Sequence, residues 1–162
     1  MREILFRGKR KDNSEWVYGW LGHLHCHNPQ AKTIDSIYFT EITEDHNDRM
    51  NIIVDYNTVG QFTGLTDKNG NKIFEGDIIK SESRGHKAIS VVKYGKCKPK
   101  MFYELLKRYL GIKPKENICG MFATTLQGED VLLTDCSKII EIIGNIHDNP
   151  ELLKGENRCE ID

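Results

Sequence analysis

The sequence predicts a mainly β protein with one inserted helix, built as small β-barrel subdomains of SH3-like character. Three observations predict it. Short stretches rich in β-branched and aromatic residues recur along the chain, separated by glycine-bearing turns. A helical period occurs in one place, between residues 99 and 111. Many short strands with such turns favour closed or partly closed small barrels.

Ile4-Leu5-Phe6-Arg7 opens the chain as a strand, and residues 7–15 form a polar turn. Trp16-Val17-Tyr18-Gly19-Trp20-Leu21-Gly22 is the return strand of a hairpin, extended by His23 to His27 and ended by Asn28-Pro29. Residues 36–40 and 50–55 are the next two strands, joined by the acidic loop 41–48. Residues 58–62 form another strand.

Asp67-Lys68-Asn69-Gly70 is a turn, because Asn and Gly tolerate the positive φ that tight hairpins require. Lys72-Ile73-Phe74-Glu75 leads into a second turn at Gly76-Asp77, and Ile78-Ile79-Lys80 enters the core. Gly-Asp followed by an apolar pair resembles the opening of SH3-like barrels. Residues 88–94 form a further strand. Then Phe102, Leu105, Leu106, Tyr109 and Leu110 fall on one helical face, started near Pro99 and stopped by Gly111. Strand character returns at 118–126, 131–134 and 138–146, and 148–153 predicts a short helical turn.

Residues 1–154 are expected to form one domain. It has an N-terminal β part over 1–57 and a barrel part over 58–154 with the helical insertion near 99–111. Residues 155–162 are a loose, polar tail. At 162 residues the chain can bury a core without disulfides or metals. Its five cysteines are odd in number, widely spaced and without a Cys-x-x-Cys, which argues against a disulfide framework or a four-thiolate zinc site. No apolar run approaches the ~20 residues of a membrane span. The first residues lack the pattern of a signal peptide, so the cytoplasm is the expected compartment.

Charge is unevenly spread. Residues 80–115 hold eleven Lys and Arg against two Glu, a segment of +9; with a net charge of −1 the remainder is −10. Such a split marks a surface for an acidic partner, a solvated face, or a self-association surface pairing with the acidic remainder.

Three stretches together resemble the YopX family of phage and prophage proteins. The first is Arg2-Glu3-Ile4-Leu5-Phe6-Arg7-Gly8-Lys9 with Glu15-Trp16-Val17-Tyr18-Gly19. The second runs from Thr58 to Ile79. The third is Ile143-Gly144-Asn145-Ile146-His147-Asp148-Asn149-Pro150-Glu151-Leu152-Leu153. Residues 23–57 and 96–136 do not carry the resemblance. It implies a mostly β, barrel-containing fold, a phage or prophage source and homo-oligomers. It implies no established activity, so no catalytic residues carry over.

The residues themselves offer two constellations. On a strand, His23, His25 and His27 would share one face and could ligate zinc, copper or nickel. Side chains in line on one strand sit about 6.5–7 Å apart, so a tetrahedral site wants ligands from a second element. An exposed histidine cluster is the simpler reading. The basic stretch with Lys93, Lys96, Lys98, Lys100, Lys107 and Arg108, interleaved with Tyr94, Phe102, Tyr103 and Tyr109, is the partner-binding candidate. Lysines neutralise phosphates and aromatics stack on bases. Against it, Phe102 and Tyr109 belong to the helix's apolar stripe, and a pI near 6.6 is far from that of typical nucleic-acid-binding domains.

Catalytic motifs are missing: there is no Gly-x-Ser-x-Gly, His-Glu-x-x-His or phosphate loop. Gly60, Gly64, Gly70 and Gly76 read as turn and bulge glycines, and Asp67 and Asp77 as groups bonding local backbone N–H. The leading expectation is a non-enzymatic, self-associating β-barrel binding or structural module, with no cofactor or small-molecule ligand. Nucleic-acid binding through residues 93–108 and metal binding through His23, His25 and His27 are the alternatives.

Overall fold

The two-residue period of a strand shows in the burial of residues 52–54, all apolar: Ile52 and Val54 are buried and Ile53 is exposed. The structure, a computed structural model, describes residues 4–23, 37–42, 49–83, 86–97, 118–133 and 139–154. Within these the protein is mainly β, made of two antiparallel sheets. The chain divides into two compact units, residues 1–64 and 65–162.

In the first unit, β1 (Phe6–Lys9), β2 (Trp16–His23), β3 (Ile37–Ile42) and β4 (Arg49–Val54) form a meander in the spatial order β4-β3-β2-β1. β5 (Gly60–Thr66) lies on the other side of β1, with Phe6 opposite Gln61 and Arg7 opposite Gly60. The polar turn after β1 is closed by Arg10 N–H donating to the Glu15 carbonyl at 2.9 Å. Val54 is fully buried, and Phe6, Val17 and Val59 pack on it.

A 3-10 turn, Tyr56–Thr58, follows β4. It lies where the sequence predicts only the start of a strand. The Asp55 carboxylate accepts from the Asn57 N–H at 3.0 Å and nucleates it. The outer strand β4 also returns to the end of β1. Arg10 bridges Val54, Asp55 N–H donates to the Lys9 carbonyl at 2.7 Å, and Lys11 N–H donates to the Ile53 carbonyl at 3.1 Å.

β5 carries the chain into the second unit, where β6 (Lys72–Phe74) is its neighbour. The second sheet comprises β7 (Asp77–Ser83), β8 (His86–Cys97), β9 (Ile118–Thr125), β10 (Asp130–Leu132) and β11 (Ile140–Asn145), in the order β10-β9-β8-β7-β11. The core of the second unit holds Ile73, Ile79, Val92, Ala123 and Ile140, with Leu65, Leu133 and Ile142 packed against them. A register shift between Ile142 and Gly144 bends β11 against β7. The expected helical turn after it is the 3-10 turn Pro150–Leu153.

β8 changes partner along its length. Its first half pairs with β7, from Ser83 opposite His86 to Ile78 opposite Val91. Its second half pairs with β9, from Ser90 opposite Thr125 to Cys97 opposite Ile118. Only Ser90 and Val91 pair on both sides.

The expected small barrels are corrected in one respect: no closed barrel forms among the described residues. In the strand order, β10 neighbours only β9 and β11 neighbours only β7, so no pairing joins the two ends of that sheet. The helix expected near 99–111 and the tail 155–162 lie outside the described residues.

Candidate functional site

Of the basic candidates, Lys93 and Lys96 lie on β8, just past the buried Val92. Both lysines are exposed, and so is Tyr94 between them. β9 is the strand partner here, with Lys93 opposite Phe122 and Lys96 opposite Cys119. An acid intrudes: Glu75 Oε1 accepts from the Tyr94 N–H at 3.3 Å, placing a carboxylate beside the two lysines. Lys98, Lys100, Lys107 and Arg108, with Phe102 and Tyr109, lie outside the described residues.

His23 is the last residue of β2, opposite Ile37. His25 and His27 lie outside the described residues. Among the described residues no group of three or more His, Cys, Asp or Glu side chains could hold a metal ion.

The glycine-rich run and its acids are consumed by architecture. Gly64, Gly70 and Gly76 have φ of 85°, 85° and 84°, the left-handed region that favours glycine. Asp67 is buried in the turn between β5 and β6. Its Oδ1 accepts from the N–H groups of Asn69 and Asn71, both at 2.9 Å. Oδ2 accepts from the Asn71 side-chain amide at 3.2 Å and from the Ile142 N–H at 3.3 Å. Burial raises the Asp67 pKa, but the Asn71, Ile142 and Asn69 donors outweigh it and hold the carboxyl below its ordinary 3.8. A carboxyl so held is a poor proton donor at neutral pH. Asp77, equally buried, accepts from the Phe74 N–H at 2.7 Å. The sequence reading of both aspartates as backbone-bonding groups matches these contacts.

A different surface stands out on the first unit. Trp16, Tyr18 and Trp20 alternate along β2 and so share one face, with Arg7 opposite Tyr18 and Lys9 opposite Trp16 on β1. The Arg7 guanidinium carbon lies 4.7 Å from the centre of a Trp16 ring, and the Lys9 ammonium 5.5 Å. Both distances suit cation–π contact. Tyr18 and Trp20 continue the row into solvent, at 50% and 55% exposure. By sequence this segment is the return strand of a hairpin and part of the family resemblance. The available signal was aromatic residues at i, i+2 and i+4, which place three rings on one face of any strand.

No helix among the described residues is long and apolar enough to cross a membrane. Compared with known proteins, residues 5–154 match the family model described as YopX protein. No curated protein matches. Among solved structures, the crystal structure of protein EF1440 from Enterococcus faecalis matches at 20% identity, covering 94% of this chain and 99% of that one, with a TM-score of 0.46.

Proposed function

We propose a role for this chain from the premise that it belongs to the YopX family. It is a phage- or prophage-type protein that acts in the cytoplasm as a non-enzymatic, self-associating β module. Its sheets are partly closed small barrels. The change of partner along β8 and the return of β4 to the end of β1 support that shape. The engagement of Asp67 and Asp77 by backbone N–H groups supports a structural rather than catalytic use of the acidic turn.

The observation that carries self-association is the edge strand β10. Among the described residues it neighbours β9 alone, and its Val131 is exposed. An edge of this kind is a template for a strand of a second copy. Sedimentation equilibrium at micromolar concentration should give a mass above one chain, and Val131→Lys should lower it. A monomeric mass for the unaltered protein overturns the reading.

Nucleic-acid binding is the second reading, favoured by the exposed Lys93, Tyr94 and Lys96. It predicts retention on DNA or RNA that weakens steeply with salt. Retention unchanged in Lys93→Glu/Lys96→Glu would remove this surface from consideration.

A further inference from the structure

We propose that Asn69 is a modification site: its side-chain amide closes on the Gly70 nitrogen and is lost as ammonia, at a rate set by the turn that Asp67 holds. Among the described asparagines it alone combines an exposed, unbonded amide with a following glycine. Asn69 and Gly70 are both exposed in the turn between β5 and β6. Asn69 N–H donates to Asp67 Oδ1 at 2.9 Å, but no hydrogen bond among the described residues holds the Asn69 side chain. Beyond the adjoining residues, no atom lies within 4 Å of the place a Gly70 Cβ would take. Its φ of 85° reserves that position for glycine, so no side chain shields the nitrogen.

The other described asparagines are held or blocked. Asn13 Nδ2 donates to the Glu15 carboxylate at 2.7 Å, and its Oδ1 accepts from the Glu15 N–H at 3.0 Å. The side-chain amides of Asn57 and Asn71 donate to Asp55 and Asp67 at 3.1 and 3.2 Å. That of Asn145 donates to Asp148 at 2.8 Å. Asn149 precedes Pro150, whose nitrogen has no proton to give up. Asn51 precedes Ile52, whose branched side chain crowds an attacking nitrogen.

Water is the only co-reactant. A bond forms between the Gly70 nitrogen and Asn69 Cγ, and the Cγ–Nδ2 bond breaks. The proton shed by Gly70 leaves with Nδ2 as ammonia. Water then opens the cyclic imide. Opening at Cγ gives aspartate; opening at the residue 69 backbone carbonyl gives isoaspartate, with the main chain rerouted through the side chain.

The turn restrains the first step, because Gly70 N–H donates to the Asp67 carbonyl at 3.0 Å and must leave it. Asp67 Oδ1 fixes the turn by accepting the Asn69 and Asn71 N–H groups. The reaction therefore runs in the fraction of molecules whose turn is open. Its products weaken the restraint. Isoaspartate lengthens the main chain between residues 69 and 70, which pulls the Asn71 N–H from Asp67. Either product puts a carboxylate beside Lys68, where it competes with Glu141 for the ammonium. Age thus loosens the tie between this turn and β11.

The test incubates the full chain in mildly alkaline buffer, folded and in urea, then digests it and reads the peptides by mass spectrometry. Heavy-oxygen water in the digestion marks conversion during handling. In the folded protein Asn69 should convert to an aspartate–isoaspartate pair ahead of every other described asparagine. In urea it should convert roughly tenfold faster, the protection that one or two hydrogen bonds supply. Asp67→Ala should raise the folded rate by a similar factor, whereas Ile73→Ala, a core change, should leave it nearly unchanged. The urea comparison uses the unaltered chain and so stands even where Asp67→Ala fails to fold. Earlier conversion of another described asparagine, or an intact Asn69 in the folded protein once the urea sample has converted fully, overturns the site. Equal rates folded and in urea, or equal acceleration by Asp67→Ala and Ile73→Ala, overturn control by the turn.

Discussion

Asp67 and Ile142 are joined across 75 positions of sequence: the Asp67 carboxylate accepts the Ile142 backbone N–H at 3.3 Å. Next to it, Lys68 N–H donates to the Ile140 carbonyl at 2.9 Å, and the Lys68 ammonium meets the Glu141 carboxylate at 2.7 Å. The turn after β5 thus covers the side of β11 that faces away from β7. A second tie joins the same segments, because Ile146 N–H donates to the Gly76 carbonyl at 2.9 Å. The second and third stretches that carry the family resemblance are therefore neighbours in space. Their glycines and aspartates close the second unit.

Removing the Asp67 carboxylate should be costly. Asp67→Ala leaves three backbone N–H groups without their acceptor, and the expected loss is about 3 kcal/mol by urea denaturation. The pH dependence follows from the lowered pKa. A carboxyl depressed in the folded state contributes stability that is fully present above its unfolded value of 3.8 and is lost as pH falls through the folded value. Stability should therefore drop below that pH, and Asp67→Asn should flatten the drop while lowering stability at neutral pH. An unchanged acid limb in Asp67→Asn would show that other carboxylates control it.

Thr58 plays the corresponding part in the first unit. Its hydroxyl accepts from the Lys9 N–H at 2.8 Å and donates to the Asp55 carbonyl at 2.7 Å. Thr58→Val keeps the shape and removes both bonds, leaving the Lys9 N–H unsatisfied. The expected loss is about 2 kcal/mol, and Thr58→Ser, which keeps the hydroxyl, should lose much less. Equal losses in the two variants would mean that the methyl group, not the hydroxyl, matters.

Strands were legible in the sequence wherever one face is apolar. Residues 16–22, 50–55 and 88–94 announce themselves by β-branched and aromatic content, and β2, β4 and β8 lie there. Their ends were less legible. β1 ends on Gly8 and Lys9, which are strand residues only because Val17 and Trp16 pair with them. The partner change in β8 leaves no mark on composition, since it depends on where β7 and β9 end. Asp67 could be read as a turn residue from its neighbours, but its bond to Ile142 depends on long-range topology. The aromatic row on β2 was within reach of the strand period and needed only the question of which face β1 and β2 bury.

The second core gives a plain contrast between buried and exposed isoleucines. Ile73 is fully buried among Ile79, Val92, Ala123 and Ile140, whereas Ile139 is exposed. Ile73→Ala should cost about 2–5 kcal/mol by removing methyl groups and leaving a cavity. Ile139→Ala should stay within about 0.5 kcal/mol. Comparable losses from the two would place the core elsewhere.

Gly144 is required by close approach rather than by a positive φ. A Cβ added there would lie 2.5 Å from Asn149 Oδ1 and 2.9 Å from Asn149 Cγ. The Asn149 side chain is fixed in that place by the turn after β11: Asn149 N–H donates to the Asn145 carbonyl at 2.9 Å, and Asn149 Oδ1 accepts from the Asn145 N–H at 3.4 Å. Gly144→Ala must push that amide aside and break the second bond, at an expected cost of about 1–3 kcal/mol. Asn149→Ala alone loses two long side-chain bonds, from the Asn145 N–H and to the Glu151 carboxylate, both at 3.4 Å, so its cost should be smaller. In the double variant the clash is largely gone, and the loss should fall well short of the sum of the two single losses. Additive losses would show that Gly144→Ala acts through the backbone of β11, and the contact with Asn149 would then not be the reason for glycine.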